Sequence, residues 1–247
     1  MLTPILAYDE NSLPANNWAD KFNLIVKENL ALEIANKGNL DIGIYRQSGI
    51  HIVSVQAYAM HEFHPLHPDS YHRQQAWYHV RETLQIAAQL DVPRIVTVCG
   101  FGFDLIDNPW ERSLDFFASL VVPAKAAGVQ IMIEPLSPRR VGVLTNPRDI
   151  VSLIEMLDEP EVFSLVLDTG HLIDSGYDLD TFFDNWNYPI AELQLKGALS
   201  TPPNVNMPVK SWLESLEQLP KVVCIEHRQP ICLQDFEQLV MVLRGYI

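Results

Sequence analysis

The chain has 247 residues, 48% of them hydrophobic, with 17 Lys and Arg against 31 Asp and Glu for a formal net charge of −14. That length and apolar content suit one α/β barrel with a large core. The charge repels phosphate backbones and argues against nucleic-acid binding. The opening MLTPILAYDENSL has no basic leading segment and too short an apolar run for a signal peptide. No later run of about 18 apolar residues would span a bilayer, so a cytoplasmic protein without a membrane span is expected. Cys99, Cys224 and Cys232 form no CxxC pair, and the first two sit in strand-like runs where small buried thiols are common.

Short runs rich in Val, Ile and Leu alternate with amphipathic segments. In chain order the predicted strands are residues 4–8, 30–35, 50–58, 94–99, 129–134, 163–168, 190–195 and 221–226. Between them lie helical stripes: Trp77, Val80, Leu84 and Ala87; then Trp110, Leu114, Phe117, Val121 and Ala124; and finally Leu233, Phe236, Val240 and Leu243. A helix near 40–48 has the faintest signal. Asn146 before Pro147, and Asp178 before Leu179, read as helix starts.

Eight strand-then-helix units with continuously apolar strands imply a parallel sheet covered on both faces, and eight such units close into a (β/α)8 barrel. An open doubly wound sheet is the alternative, but no GxGxxG follows the first strand, and GFG at 100–102 lacks the third glycine. The whole chain is expected to be a single domain.

In such a barrel the carboxyl ends of the strands carry the chemistry. Glu134, Asp168 and Glu226 end the fifth, sixth and eighth predicted strands, delivering three carboxylates to one rim. For each alone, a helix cap or a solvated loop residue is the ordinary reading. Together they repel one another unless protons, cationic side chains or a metal compensate, and a divalent cation is the economical solution.

The order IEP (133–135), LDTGH (167–171), LQLKG (193–197) and CIEH (224–227) at the ends of the last four strands resembles the xylose isomerase-like TIM-barrel superfamily. That superfamily includes sugar isomerases, ketose 3-epimerases, inosose dehydratases and apurinic endonucleases. The second half of the chain carries the specific motifs; the first half matches in architecture.

The resemblance implies metal ligands at Glu134, Asp168, Gln194 and Glu226, with His171 beside the substrate. It departs from the family at Gln194, where the usual ligand is a histidine. An oxygen-only ligand set favours Mn²⁺ or Mg²⁺ over Zn²⁺. The implied activity is a divalent-metal-dependent sugar or sugar phosphate isomerase or epimerase, in which Glu134 and Glu226 move a proton beside a carbonyl through an enediolate and His171 polarises a substrate oxygen. The alternatives are a sugar- or polyol-binding barrel with a degraded metal site, and a dehydratase of the inosose type. A trinuclear phosphodiesterase is disfavoured by Gln56, Cys99 and Gln194 where it would need histidines.

Four further residues are candidates for substrate contact: Phe101 of GFGFD, Lys196, Arg228 and Glu33. The ordinary roles are buried packing for Phe101, salt bridging for Lys196 and Arg228, and a solvated loop position for Glu33. His61, His64, His67 and His72 crowd one loop, but Pro65 and Pro68 break the helix that a metal pair would need, so an ordinary or substrate-covering loop is expected. The expected partner is a small sugar or sugar phosphate, with a homo-oligomer left open.

Overall fold

A computed structural model of the chain describes residues 3–100, 107–140 and 144–247. The strands are β1 (Ile5–Asp9), β2 (Ala31–Asn36), β3 (Ile52–Ala57), β4 (Arg94–Val98), β5 (Gln130–Glu134), β6 (Phe163–Asp168), β7 (Glu192–Leu195) and β8 (Val222–Ile225). They form a closed barrel in chain order, with parallel pairing at each register described. This is the expected (β/α)8 fold, with every predicted strand in place.

The helices that follow the first four strands are α1 (Trp18–Lys27), α2 (Ile42–Ser48), α3 (Met60–Phe63), α4 (Ser70–Gln89) and α5 (Pro109–Ala118). Then come α6 (Val121–Ala127), α7 (Pro147–Leu157), α8 (Thr169–Asp174), α9 (Leu179–Asp184), α10 (Val209–Ser215) and α11 (Leu233–Arg244). Asn146 and Asp178 cap α7 and α9 as predicted, accepting from the backbone N–H of Arg148 and Thr181 at 2.9 Å. The stripe from Trp110 to Ala124 is divided between α5 and α6. Pro123 has no N–H to offer the carbonyl of Ser119, so the helix restarts with Pro123 in its first turn.

The chain resolves into two compact units. The first comprises Met1–Ile34, Ile44–Val53 and Leu167–Ile247. In it β1 pairs with β2 and with β8, and β8 with β7, so that Ala7 aligns with Ala31 and Cys224, and Cys224 with Gln194. Ala7, Ala31, Val53, Val222 and Cys224 pack as one buried cluster. Side chains this short leave interior volume that longer polar chains then fill.

The second unit comprises Ala35–Gly43 and Ser54–Val166. There β4 pairs with β3 and β5, and β5 with β6. Its core sets Phe117 edge-on to Phe163 with ring centroids 6.0 Å apart, and Ile95, Ile131, Ile150 and Ile154 of the same unit are buried. Asn36 Nδ2 donates to Thr83 Oγ1 at 2.9 Å, satisfying two buried polar groups between β2's last residue and α4.

Candidate active site at the strand ends of the first unit

The turn from β6 into α8 is built around one lysine. Asp168 caps α8, its Oδ1 accepting from the His171 N–H at 3.0 Å. Its other oxygen, Oδ2, lies 2.6 Å from Lys196 Nζ, and the two side chains are 0% and 4% exposed. Thr169 Oγ1 then clasps the backbone of the same lysine, donating to Lys196 O and accepting from Lys196 N. Gly170 supplies space: a Cβ there would lie 2.9 Å from Lys196 Cγ and 2.7 Å from Gly197 O. Asp, Thr and Gly of LDTGH thus hold the charge, the backbone and the stem of Lys196.

The segment after β8 supplies a second cation. Arg228 Nη2 lies 2.6 Å from Glu226 Oε1, and Arg228 Nη1 lies 2.8 Å from Asp9 Oδ1. Lys196 Nζ stands 3.8 Å from the same Glu226 oxygen. Glu226 lies one residue beyond β8 and is buried, as is Asp9 at the end of β1. Burial pushes the Asp9 carboxyl above its ordinary range, and the Arg228 guanidinium opposes that shift. Lys196 and Arg228 thus bridge Asp168, Glu226 and Asp9 into one chain of ion pairs.

His227 anchors this segment from behind. Its Nδ1 lies 2.7 Å from Gln229 O, which only accepts, so Nδ1 carries the proton and Nε2 accepts from the Tyr8 hydroxyl at 2.9 Å. Burial lowers its pKa, in keeping with a neutral ring. Ser12 Oγ accepts from the His227 N–H at 2.8 Å and lies 2.6 Å from His227 O. These bonds fix the backbone that carries Glu226 and Arg228.

One layer deeper, Gln194 Nε2 donates to Glu33 Oε1 at 3.0 Å and reaches Glu192 Oε1 at 3.4 Å. All three residues are fully buried. Burial first, then the neighbouring Glu192, Glu226 and Asp9, push the Glu33 carboxyl well above its ordinary range. Cys224 Sγ lies 3.6 Å from Glu33 Oε1, and its thiol is pushed up as well, chiefly by burial.

Of the residues singled out in the sequence, Asp168, Lys196, Glu226 and Arg228 come together directly. His171 is buried in the first turn of α8, three residues after Asp168. Glu134 ends β5, buried, in the second unit. Glu33 sits in the middle of β2 rather than at its end, because the strand runs on to Asn36. Gln194 faces that Glu33 layer. Phe101 lies outside the described residues. Of the four histidines read as one loop, His61 lies in α3 and His72 in α4, and the rings of His67 and His72 approach to 4.2 Å between centroids, tilted by 41°. Asp9 and Glu192 were not among the expected site residues. Asp9 follows a strand in YDE, the same strand-end signal that marks Glu134 and Asp168, whereas Glu192 lies inside an apolar strand and gives no such signal.

A hard divalent cation fits these donors in type. Asp168 and Glu226 are carboxylates, and the buried Oε1 of Gln194 accepts no hydrogen bond among the described residues. Acidic clusters able to hold a metal are present: one oxygen each of Glu33 and Glu192 and the sulfur of Cys224 lie within 4.8 Å of one another. Between Asp168 and Glu226, however, the positive charge already present is that of Lys196.

The fold and its rim of acids are those of a (β/α)8 barrel with a polar centre at the strand ends. The sequence model of the xylose isomerase-like TIM barrel matches residues 43–228, more than half of the chain, and the chain belongs to that family. Among solved structures, D-psicose 3-epimerase from Clostridium cellulolyticum H10, with D-tagatose, is similar at 16% identity and a TM-score of 0.77, covering 98% of this chain and 96% of that one. An AP endonuclease of family 2 from Brucella melitensis is similar at 17% identity and 0.76, covering 99% and 100%. The IOLI protein, in a structure with a zinc atom, is similar at 15% and 0.76, covering 98% and 99%. At these identities the likeness establishes the fold. Among curated proteins, none matches.

Proposed function

We propose that the chain is an isomerase or epimerase of a small sugar or sugar phosphate, working at the strand ends of a single-domain barrel. The observation that carries this reading is the convergence of Asp168, Glu226 and Asp9 with Lys196 and Arg228 in a xylose isomerase-like fold. Sugar epimerases with this architecture, such as the D-psicose 3-epimerase, support it.

In this reading Glu226 and Glu134 are the acid/base pair that removes and returns a proton beside a carbonyl, generating an enediolate between the two transfers. Arg228 and Lys196 face substrate oxygens, and a phosphate or carboxylate on the substrate would meet the same two cations. His171 donates to a substrate oxygen. Phe101 is assigned to an apolar sugar face, and Glu33 supports the centre from the layer beneath through Gln194. A divalent ion would be held by Glu134, Asp168, Gln194 and Glu226, with Mn²⁺ or Mg²⁺ preferred by oxygen donors, and when bound it supplies Lewis-acid polarisation of a carbonyl oxygen. The protein works in the cytoplasm on a small sugar or sugar phosphate. Among the described residues no helix is long and apolar enough to cross a membrane.

The test is solvent deuterium incorporation into a panel of ketoses, aldoses and their phosphates, with and without added Mn²⁺. The expected result is exchange at one carbon next to a carbonyl, abolished in Glu226→Gln. No exchange into any member of the panel, together with binding of a sugar, would turn the reading to a non-catalytic sugar-binding barrel. That second reading is favoured by Gln194, whose amide is directed to Glu33 and Glu192. Loss of water from a polyol substrate would mark a dehydratase instead.

A further inference from the structure

We infer that Lys196 is the resident cation of this centre, and that a divalent ion can be held between Asp168 and Glu226 only by displacing its ammonium group. The inference rests on the reading of these strand ends as the active site, and it concerns what neutralises the acids there. Lys196 Nζ is 2.6 Å from Asp168 Oδ2 and 3.8 Å from Glu226 Oε1, so it occupies the space between the two carboxylates. An ion bound to both of those oxygens at about 2.0–2.4 Å would overlap the ammonium, and two positive charges at that range repel strongly in a buried site.

The lysine is not a chance visitor to this place. Its side chain is 4% exposed, so the ammonium has exchanged water for Asp168 and Glu226. Its backbone N–H and carbonyl are both bound by Thr169 Oγ1, which fixes the direction in which the side chain leaves the strand end. Gly170 leaves the lane through which the stem passes, since a Cβ would meet Lys196 Cγ at 2.9 Å and Lys196 Cε at 3.0 Å. Two residues earlier in the strand, Gln194 offers its N–H to Glu33 and Glu192. That commits Nε2 to the layer beneath, while Oε1, the one atom of the amide that could ligate an ion, accepts no hydrogen bond among the described residues.

The experiment is a Mn²⁺ titration of the full chain after chelator treatment, with free Mn²⁺ read by electron paramagnetic resonance. It compares the wild type with Lys196→Met and Lys196→Gln. The expected result is weak binding by the wild type, and binding tighter by about tenfold or more in both variants. That gain should vanish when Asp168→Asn is added to either one. Equal binding by wild type and variants, or binding by none of them, would overturn the inference. Should Lys196→Met fail to fold, as judged by circular dichroism, Lys196→Gln keeps a hydrogen-bond donor toward Asp168 and serves alone. Should both fail, a Mn²⁺-soaked wild-type crystal decides: an ion bound to both Asp168 and Glu226 with Lys196 Nζ still on Asp168 refutes the inference, and displacement of Nζ by an ion bound to those two carboxylates supports it. No substrate is involved, so a protein that proves inactive on every sugar still decides the question.

Discussion

Thr169 and Lys196 share a two-way hydrogen bond: Thr169 Oγ1 donates to the Lys196 carbonyl at 2.7 Å and accepts from the Lys196 N–H at 2.8 Å. One hydroxyl thereby satisfies both backbone groups of a buried residue at the end of β7, and ties that strand end to the first residue of α8. Serine offers the same two bonds, whereas valine keeps the shape of threonine and offers neither.

Thr169→Val should therefore leave a buried N–H and a buried carbonyl without partners, at a cost of about 2–4 kcal/mol. Urea denaturation of wild type, Thr169→Val and Thr169→Ser checks this, with the serine variant expected near wild type. Equal stability of the valine and serine variants would show that the clasp contributes nothing.

The second expectation concerns Glu33, whose carboxyl is pushed well above its ordinary range by burial and by Glu192, Glu226 and Asp9. In the unfolded chain it ionises near the ordinary glutamate value of 4.5, while the folded protein keeps the proton to higher pH. Above that point the unfolded state binds fewer protons than the folded one, so this residue's contribution to stability is lost as pH rises. Glu33→Gln replaces the protonated acid by a neutral isostere. Its stability relative to wild type should rise as pH increases above 4.5. Parallel pH profiles of the two proteins in chemical denaturation would contradict the assignment.

A third expectation has the opposite sign. His79 on α4 is 4% exposed, its ring lies 4.7 Å from that of Phe63, and burial lowers its pKa from 6.5 to about 4. The neutral ring favours the fold above pH 6.5, and that advantage is lost as pH falls toward 4, because the unfolded chain takes up the proton first. At about 1.4 kcal/mol per unit the loss is about 3 kcal/mol. His79→Phe removes this titration, so the difference in stability between wild type and variant should change sharply between pH 6.5 and 4 and stay flat above it. A difference that does not vary with pH would remove His79 from the account.

The eight strands were legible because a barrel strand is covered on both faces, and continuous apolar runs such as QIMIE and FSLVLD record that directly. The caps at Asn146 and Asp178 were legible for an equally local reason, since a side chain answers a backbone N–H within three residues of itself. Asp168 and Glu226 were visible as acids at strand ends. Glu192 was not, since a lone acid opening ELQL departs from the apolar pattern and only its interior neighbours explain it. The break between α5 and α6 was hidden because the apolar spacing continues across Pro123.

The sequence by itself determined the order of strands and helices, the barrel they form, and the family motifs at the last four strand ends, all of which depend on local periodicity and on residue types at fixed positions. Only the tertiary structure decided what those motifs hold. That Asp168, Thr169 and Gly170 close around Lys196, and that Arg228 joins Glu226 to Asp9, depends on approaches between residues as far as 219 positions apart. A sequence records that an acid and a lysine are both present; the charge at a site is set by which of them share the same few ångströms of low-dielectric interior.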